Sequence, residues 1–147
     1  MTGALDSVAN SYLTRIYCDN LGASGTLNLD TLGSVATSLT TLYLYNMMSG
    51  NVTGKISSLP TGLTTMTLYS LGNAFDIVTG PMPAWAATTI TINNNHPSAD
   101  IDNFLISWAT TAGTGTKTIT LTRSRTSASN SAVTTLNGKG KTINTSG

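Results

Sequence analysis

The stretch that decides the fold is Leu39-Thr40-Thr41-Leu42-Tyr43-Leu44-Tyr45-Asn46. Its leucines have the spacing LxxLxL, and the last two alternate with tyrosines. Successive side chains of a β-strand point to opposite faces of the sheet, so this alternation predicts a short strand with Leu42 and Leu44 on one face. Tyr43 and Tyr45 are expected on the opposite face.

The same spacing recurs at steps of 24 to 29 residues, with first positions at 13, 39, 63, 87, 116 and 140. The six triplets are Leu13, Ile16 and Cys18; Leu39, Leu42 and Leu44; Leu63, Met66 and Leu68; Ala87, Ile90 and Ile92; Thr116, Ile119 and Leu121; and Gly140, Ile143 and Thr145. One such unit cannot bury its apolar face alone, whereas stacked units bury a continuous core. We therefore predict a single α/β domain over residues 1–147, built from about six units that each give one short strand to a parallel sheet. Cys18 is expected to pack as a small apolar residue.

The segments between the predicted strands differ along the chain. Irregular returns are predicted in the N-terminal half, from Gly25-Thr26-Leu27, Gly54-Lys55-Ile56 and Gly80-Pro81-Met82-Pro83. Helical returns are predicted in the C-terminal half, over Ser98–Ala109 and from Ser127 or Ser129 to Leu136. Ser98 or Asp100 is expected to cap the first helix, and residues 1–12 are predicted to form a short N-terminal cap. Stacked side chains of Asn20, Asn46 and Asn94 are expected to bond turn backbones.

This pattern resembles the leucine-rich repeat family, which implies a solenoid. The resemblance is carried by Leu39–Asn46, by Leu63-Thr64-Thr65-Met66-Thr67-Leu68, and by the Gly-containing returns at residues 54–56 and 80–83. It covers roughly Leu13 to Thr145 and is closest to the Thr- and Asn-rich repeats of gut bacterial or phage surface proteins. The family implies protein or glycan recognition on the open face of the sheet and no catalytic residues.

The outward strand positions form two columns, which define the candidate binding residues. One column reads Tyr17, Tyr43, Thr67, Thr91, Thr120 and Asn144, and the other reads Asp19, Tyr45, Tyr69, Asn93 and Thr122. Because neighbouring strands lie about 4.8 Å apart, Tyr17, Tyr43, Tyr45 and Tyr69 are expected to make one aromatic patch with Arg15 and Asp19 at its edge. Tyrosine is common on binding surfaces, because it offers a large apolar ring with a polar tip.

Two other interpretations of this face stay open. Tyrosine has a high β-propensity and pairs with itself across strands without any ligand. The threonines at positions 65, 67, 89, 91, 118, 120 and 122 are similar to the regular rows of ice-binding proteins, although the tyrosines interrupt them.

The composition argues against several classes of function. Charged residues make up 9% of the chain, and its seven Lys and Arg residues form no cluster of the kind that binds nucleic acid. No apolar run of 18 residues exists, so no membrane insertion is expected. His96 is the single histidine, and with Asp100 and Asp102 it gives only a weak metal signal. We therefore expect neither an enzyme nor a bound metal or cofactor.

The sequence thus predicts a non-catalytic recognition module, on the outside of a cell or a virion, that binds a protein or glycan through the tyrosine face. The alternative is a structural or assembly module of a larger surface protein. The last predicted strand, Thr142–Thr145, has no visible polar cap after it, so we expect either a fragment or an end-to-end homodimer through this C-terminal edge strand.

Overall fold

A computed structural model gives the fold, and it describes residues 3–4, 9–20, 25–47, 50–69, 74–85, 89–93 and 95–146. Within these residues the chain is a mixed α/β structure with two parallel sheets and three α-helices. The predicted α/β class is therefore confirmed.

The larger sheet contains one strand from each of the six predicted triplets. Its strands are β2 (Arg15–Asp19), β4 (Thr41–Tyr45), β6 (Thr65–Tyr69), β8 (Thr89–Asn93), β9 (Lys117–Leu121) and β10 (Lys141–Thr145). In the described residues they are ordered β10-β9-β8-β6-β4-β2, and every neighbouring pair is parallel. The six-stranded parallel sheet is thus confirmed.

The alternation in the sequence determines which face of this sheet meets the core. Leu42 and Leu44 are fully buried, and the matching residues of β6, β8 and β9 are buried with them. At the two edge strands the inward residues Ile16, Cys18 and Ile143 are only partly buried against the same core. Cys18 therefore packs as predicted, but without full burial, because it lies on an edge strand.

The returns in the N-terminal half contain a second sheet that the sequence did not predict. Its short strands are β1 (Gly3–Ala4), β3 (Gly25–Asn28), β5 (Val52–Lys55) and β7 (Phe75–Asp76), and they pair in that order. The prediction of irregular returns was therefore wrong for residues 25–27 and 54–56, whereas residues 80–83 contain neither helix nor strand, as predicted. Gly54 lies in β5 with a φ of +83°, a left-handed conformation that glycine adopts without steric cost. The glycine of this motif therefore lies within a strand and not in an irregular turn.

A short helix also lies in the first return, where an irregular segment was predicted. It is α1 (Leu29–Val35), and Asn28 caps it by accepting hydrogen bonds from the backbone N–H groups of Asp30 and Thr31 at 2.8 and 3.4 Å. Its buried residues Leu29 and Leu32 pack into the core. An asparagine in this position satisfies donors that the first helical turn leaves free.

Helices α2 (Ser98–Thr111) and α3 (Asn130–Gly138) confirm the helical returns of the C-terminal half. The expected cap at Ser98 or Asp100 was wrong, because Pro97 occupies the capping position and gives no side-chain hydrogen bond. A 3₁₀ turn over Ser127–Ser129 precedes α3, and its capping residue is Thr126.

Asn20 and Asn46 follow their strands at positions where the backbone is left-handed. Their φ angles are +55° and +50°, a left-handed conformation that asparagine adopts more readily than most residues. Their backbone N–H groups donate to Tyr45 O and Tyr69 O of the next strand. The expected stacking of asparagine side chains does not account for these two positions, and Asn94 lies outside the described residues.

Buried or half-buried aspartates join consecutive units. Asp102 on α2 accepts hydrogen bonds from the backbone N–H and hydroxyl of Thr126 and from the Ser129 hydroxyl at 2.6 to 3.2 Å. Asp30 on α1 has the same role nearer the N-terminus, where it accepts from the Lys55 backbone N–H and the Ser58 hydroxyl. Each carboxylate therefore completes the start of a 3₁₀ turn in the following unit.

Half of the predicted N-terminal cap lies outside the described residues. Gly3 and Ala4 form β1, which pairs with Gly25 and Thr26 of β3. Ala9 is partly buried against the core.

Candidate binding surface

The predicted outward columns are present in register on the six-stranded sheet. Tyr17 pairs with Tyr43, and Tyr45 pairs with Asp19 on one side and with Tyr69 on the other. The columns continue through Thr67, Thr91, Thr120 and Asn144 and through Tyr69 and Asn93. We call Tyr17, Tyr43, Tyr45 and Tyr69 the tyrosine patch.

The four rings of the tyrosine patch contact one another. Ring centroids are 5.9 Å apart for Tyr17 and Tyr43, 6.0 Å for Tyr43 and Tyr45, and 4.4 Å for Tyr45 and Tyr69. The last two pairs are nearly parallel, at 8° and 11°. The structure therefore brings together all four tyrosines that the sequence placed in one patch.

The stacking decides which parts of the rings a ligand can reach. Tyr45 and Tyr69 cover each other's faces, so they offer mainly ring edges and hydroxyls. Tyr17 differs, since 68% of its surface is exposed and it lies on the edge strand. One accessible ring face beside a row of edges and hydroxyls suits a partner that combines an apolar contact with several hydrogen bonds.

Charge enters the patch only at its N-terminal side. Arg15 and Asp19 are exposed at the two ends of β2, and Asp19 lies beside Tyr45 in the sheet register. Partial burial raises the pKa of Tyr45, and a hydrogen bond with Tyr69 and the charge of Asp19 act in the same direction. The Tyr45 hydroxyl therefore stays protonated at neutral pH and can donate as well as accept.

Beyond the tyrosine patch the outward face carries hydroxyls. Thr65, Thr67, Thr89 and Thr91 are in register on β6 and β8, and Thr118 and Thr120 continue the rows on β9. Thr122 donates to the Asn93 side chain at 2.6 Å. This half of the face is polar and uncharged, so it differs in chemistry from the tyrosine patch.

His96 lies apart from the sheet face, beside a cavity of about 350 Å³ that Asp76 and Asp100 also line. It is 4% exposed, its Nδ1 is 3.9 Å from an Asp100 carboxylate oxygen, and its ring meets Phe75 edge-on. Asp102 does not join it, because its carboxylate faces the start of α3. In the described segments of the chain no three His, Cys, Asp or Glu residues are grouped as a metal site would require.

Burial lowers the pKa of His96 below its usual 6.5, and the nearby charges of Asp100 and Asp76 oppose this only in part. The unfolded chain therefore takes up a proton below pH 6.5 that the folded chain resists. We expect stability to fall as the pH drops from about 7.5 to about 5.5, by at most about 1.4 kcal/mol per pH unit for one such group.

Urea unfolding of wild type and His96→Phe at the two pH values measures this effect. The variant retains an aromatic ring against Phe75 but has no proton to take up, so its stability should change less over the interval. Equal changes in the two proteins would contradict the assignment to His96.

Stability is also lost in a more acidic pH interval, in which Asp102 becomes protonated. Burial alone would raise the pKa of Asp102, but hydrogen bonds from Ser129 and Thr126 outweigh it and hold this pKa below the usual 3.8. Such a carboxylate stabilises the fold above pH 3.8, and its contribution disappears as the pH falls through its lowered pKa. The acid limb of the stability curve therefore includes the bonds that Asp102 makes between units, together with the local bonds that lower the pKa of Asp76, whereas the limb below pH 6.5 reports His96.

Comparisons with models of protein families, with curated proteins and with solved structures found no match for this chain. The resemblance to leucine-rich repeats thus stays a prediction from the sequence. No helix among the described residues has the length and apolar character to cross a bilayer.

Proposed function

We propose that this chain is a leucine-rich-repeat-like solenoid that recognises a protein or a glycan through the tyrosine patch. The observation that carries the proposal is the gathering of four tyrosines on one open sheet face whose remaining outward positions are mostly threonine and asparagine. Arg15 and Asp19 complete the candidate site at its edge.

The tyrosine patch offers a large ring area that a partner can remove from water. Tyr17 is largely exposed, while Tyr43, Tyr45 and Tyr69 are half-buried and held by their neighbours. Rings held in this way lose little conformational freedom when a partner covers them, which favours affinity. Their hydroxyls supply the directional bonds that distinguish one polar partner from another.

The test is a binding screen of wild type against immobilised glycans and proteins, repeated with the double variant Tyr43→Ser, Tyr45→Ser. Because one aromatic residue at the centre of an interface contributes about 2 kcal/mol or more, and neighbouring contributions do not simply add, we expect the double variant to lose at least about 30-fold in affinity for any partner found. Circular dichroism should show an unchanged fold, since both side chains point away from the core.

A matched control is Thr91→Ser, Thr120→Ser, which changes the outward column of β8 and β9 outside the tyrosine patch. It should bind as wild type does. Unchanged binding by the tyrosine variant, or equal loss in the control, would assign recognition to another surface.

A structural or assembly role is the second candidate, and the incomplete burial of Ile143 on β10 favours it. In this role the chain is a module of a larger surface protein or associates end to end through the edge of β10. The binding screen separates the two candidates, because an assembly module associates with itself but binds none of the immobilised glycans or proteins. Either role would place the chain on the outside of a cell or a virion.

A further inference from the structure

The opposite edge of the sheet, at β2, has an unusual arrangement of backbone and charge. Among the described strands β2 pairs with β4 alone. Arg15, Tyr17 and Asp19 are exposed, and Ile16 and Cys18 are only partly buried, whereas β4 buries both of its inward leucines. This edge therefore leaves apolar surface uncovered on the core side and three exposed side chains on the other side.

Backbone hydrogen bonds show which groups of β2 face its free edge. Thr14 O accepts from Thr40 N, and Asn20 N donates to Tyr45 O, so the backbones of even-numbered residues are directed toward β4. Backbone groups alternate sides along a strand. The N–H and C=O groups of Arg15, Tyr17 and Asp19 are therefore directed toward the free edge, where they can pair with another strand.

The side chains of β2 are complementary to a second copy of themselves. The strand reads Arg15-Ile16-Tyr17-Cys18-Asp19, with opposite charges at equal distances from a central tyrosine. An antiparallel copy centred on Tyr17 puts Arg15 opposite the partner's Asp19 and Ile16 opposite the partner's Cys18. The three outward pairs are then all of the hydrogen-bonded kind, which agrees with the backbone directions.

We propose that two copies of this chain associate by antiparallel pairing of their β2 edges, with Tyr17 opposite the partner's Tyr17. The interface is isologous, so two Arg15–Asp19 ion pairs form on the outward face and two Ile16–Cys18 contacts form on the core side. The two sheets then join, and the two tyrosine patches become one surface of eight rings.

The edge at β10 lacks these features. Lys141 begins that strand and is 2% exposed, with its ammonium group donating to Gly115 O at 3.1 Å and lying over the Trp108 ring. An inward-pointing charge is one of the ways in which proteins protect an edge strand from pairing. No acidic residue occurs in β10 to complement Lys141 in a second copy. We therefore assign self-association to β2, and this contact replaces the edge of β10 as the site of a homodimer.

Reversal of charge tests the pairing without touching the core. Arg15→Asp and Asp19→Arg each place like charges opposite one another, so each variant alone should be monomeric in sedimentation or light scattering where wild type is dimeric. An equimolar mixture of the two variants restores both opposite-charge pairs and should dimerise. A wild type that is monomeric from about 1 µM to about 1 mM, or single variants that stay dimeric, would overturn the proposal.

Cross-linking tests the register. In a Cys18→Ser background, Tyr17→Cys places two thiols on directly opposed residues about 5.5 Å apart at Cα, within the range that a disulfide spans. Oxidised glutathione should convert this variant to a covalent dimer. Wild-type Cys18 should not cross-link, because its counterpart lies two residues out of register, about 8 Å away.

The matched control is Thr142→Cys in the same background, on the exposed face of β10. It should remain uncross-linked. A covalent dimer through Thr142→Cys with none through Tyr17→Cys would place the contact at the other edge and overturn the assignment to β2.

Discussion

Gly33→Ala is expected to destabilise the protein by about 3 kcal/mol, although alanine is the better helix former by about 1 kcal/mol. Gly33 lies in α1, which packs on the 3₁₀ turn over Ile56–Ser58. A Cβ atom at Gly33 would lie 2.0 Å from Ser58 O and 2.7 Å from Ser58 C. Those are backbone atoms that cannot rotate away, so the helix must move off the next unit.

Urea unfolding measures this loss, and Gly138→Ala is its control. Gly138 is the last residue of α3, and an added Cβ there meets no atom within 4 Å. Alanine at this position should leave stability unchanged or raise it by up to about 1 kcal/mol. If both variants follow helix propensity and gain stability, the close contact between α1 and Ser58 is refuted.

Asp102→Ala is expected to lower the free energy of unfolding by about 3 kcal/mol, the second large effect. Leaving a buried donor without an acceptor costs about 1–3 kcal/mol for each group. The substitution removes the acceptor for the Thr126 backbone N–H, the Thr126 hydroxyl and the Ser129 hydroxyl. Ser129 is fully buried, so without Asp102 its hydroxyl retains only a long hydrogen bond of 3.4 Å to Thr126 O and has no access to water. Urea unfolding of the variant beside wild type measures the loss.

Two further variants separate this loss from an effect on α2 itself. Asn103→Ala changes the exposed neighbour on the same helix and should be nearly neutral. Adding Ser129→Ala to Asp102→Ala removes the buried hydroxyl that has lost its acceptor and should recover some of the stability. Recovery of none would indicate that Asp102 acts through something other than these hydrogen bonds.

The large sheet was predictable because its signal is long and repeated. Pairs such as Leu42 and Leu44 place apolar side chains two residues apart in five of the six units, and their return at steps of 24 to 29 residues puts them into one column. The smaller sheet gives no such signal. β7 is two residues long, and β3 has four residues of which the first is Gly25, so neither strand displays a clear alternation of apolar and polar side chains.

Helix α1 escaped prediction for a related reason. It has only seven residues, and Gly33 lowers its helix propensity. Its start depends on the capping side chain of Asn28. The glycine is required by contact with Ser58, which only the folded chain reveals. Local propensity was overridden here by packing between units.

The sequence predicted which four tyrosines form the tyrosine patch but not how their rings are oriented. The register follows from the repeat, so Tyr45 must lie beside Tyr69. Whether the rings stack or splay depends on side-chain torsions that the sequence does not encode locally. The aspartate bridges were missed, although one signal was present, since Asp30 precedes Ser58 by nearly the same number of residues as Asp102 precedes Ser129.

Four acceptors between units share a direction along the chain. The carboxylates of Asp30 and Asp102 belong to the earlier unit and their donors to the later one. The hydroxyls of Thr40 and Thr64 likewise donate backward, to Thr14 O and Thr40 O. A ribosome releases the N-terminal units first, so each new unit emerges beside acceptors that are already in place. For these bonds synthesis and assembly follow the same order, whereas the backbone N–H groups of Asn20 and Asn46 gain their acceptors only when the next strand has been made.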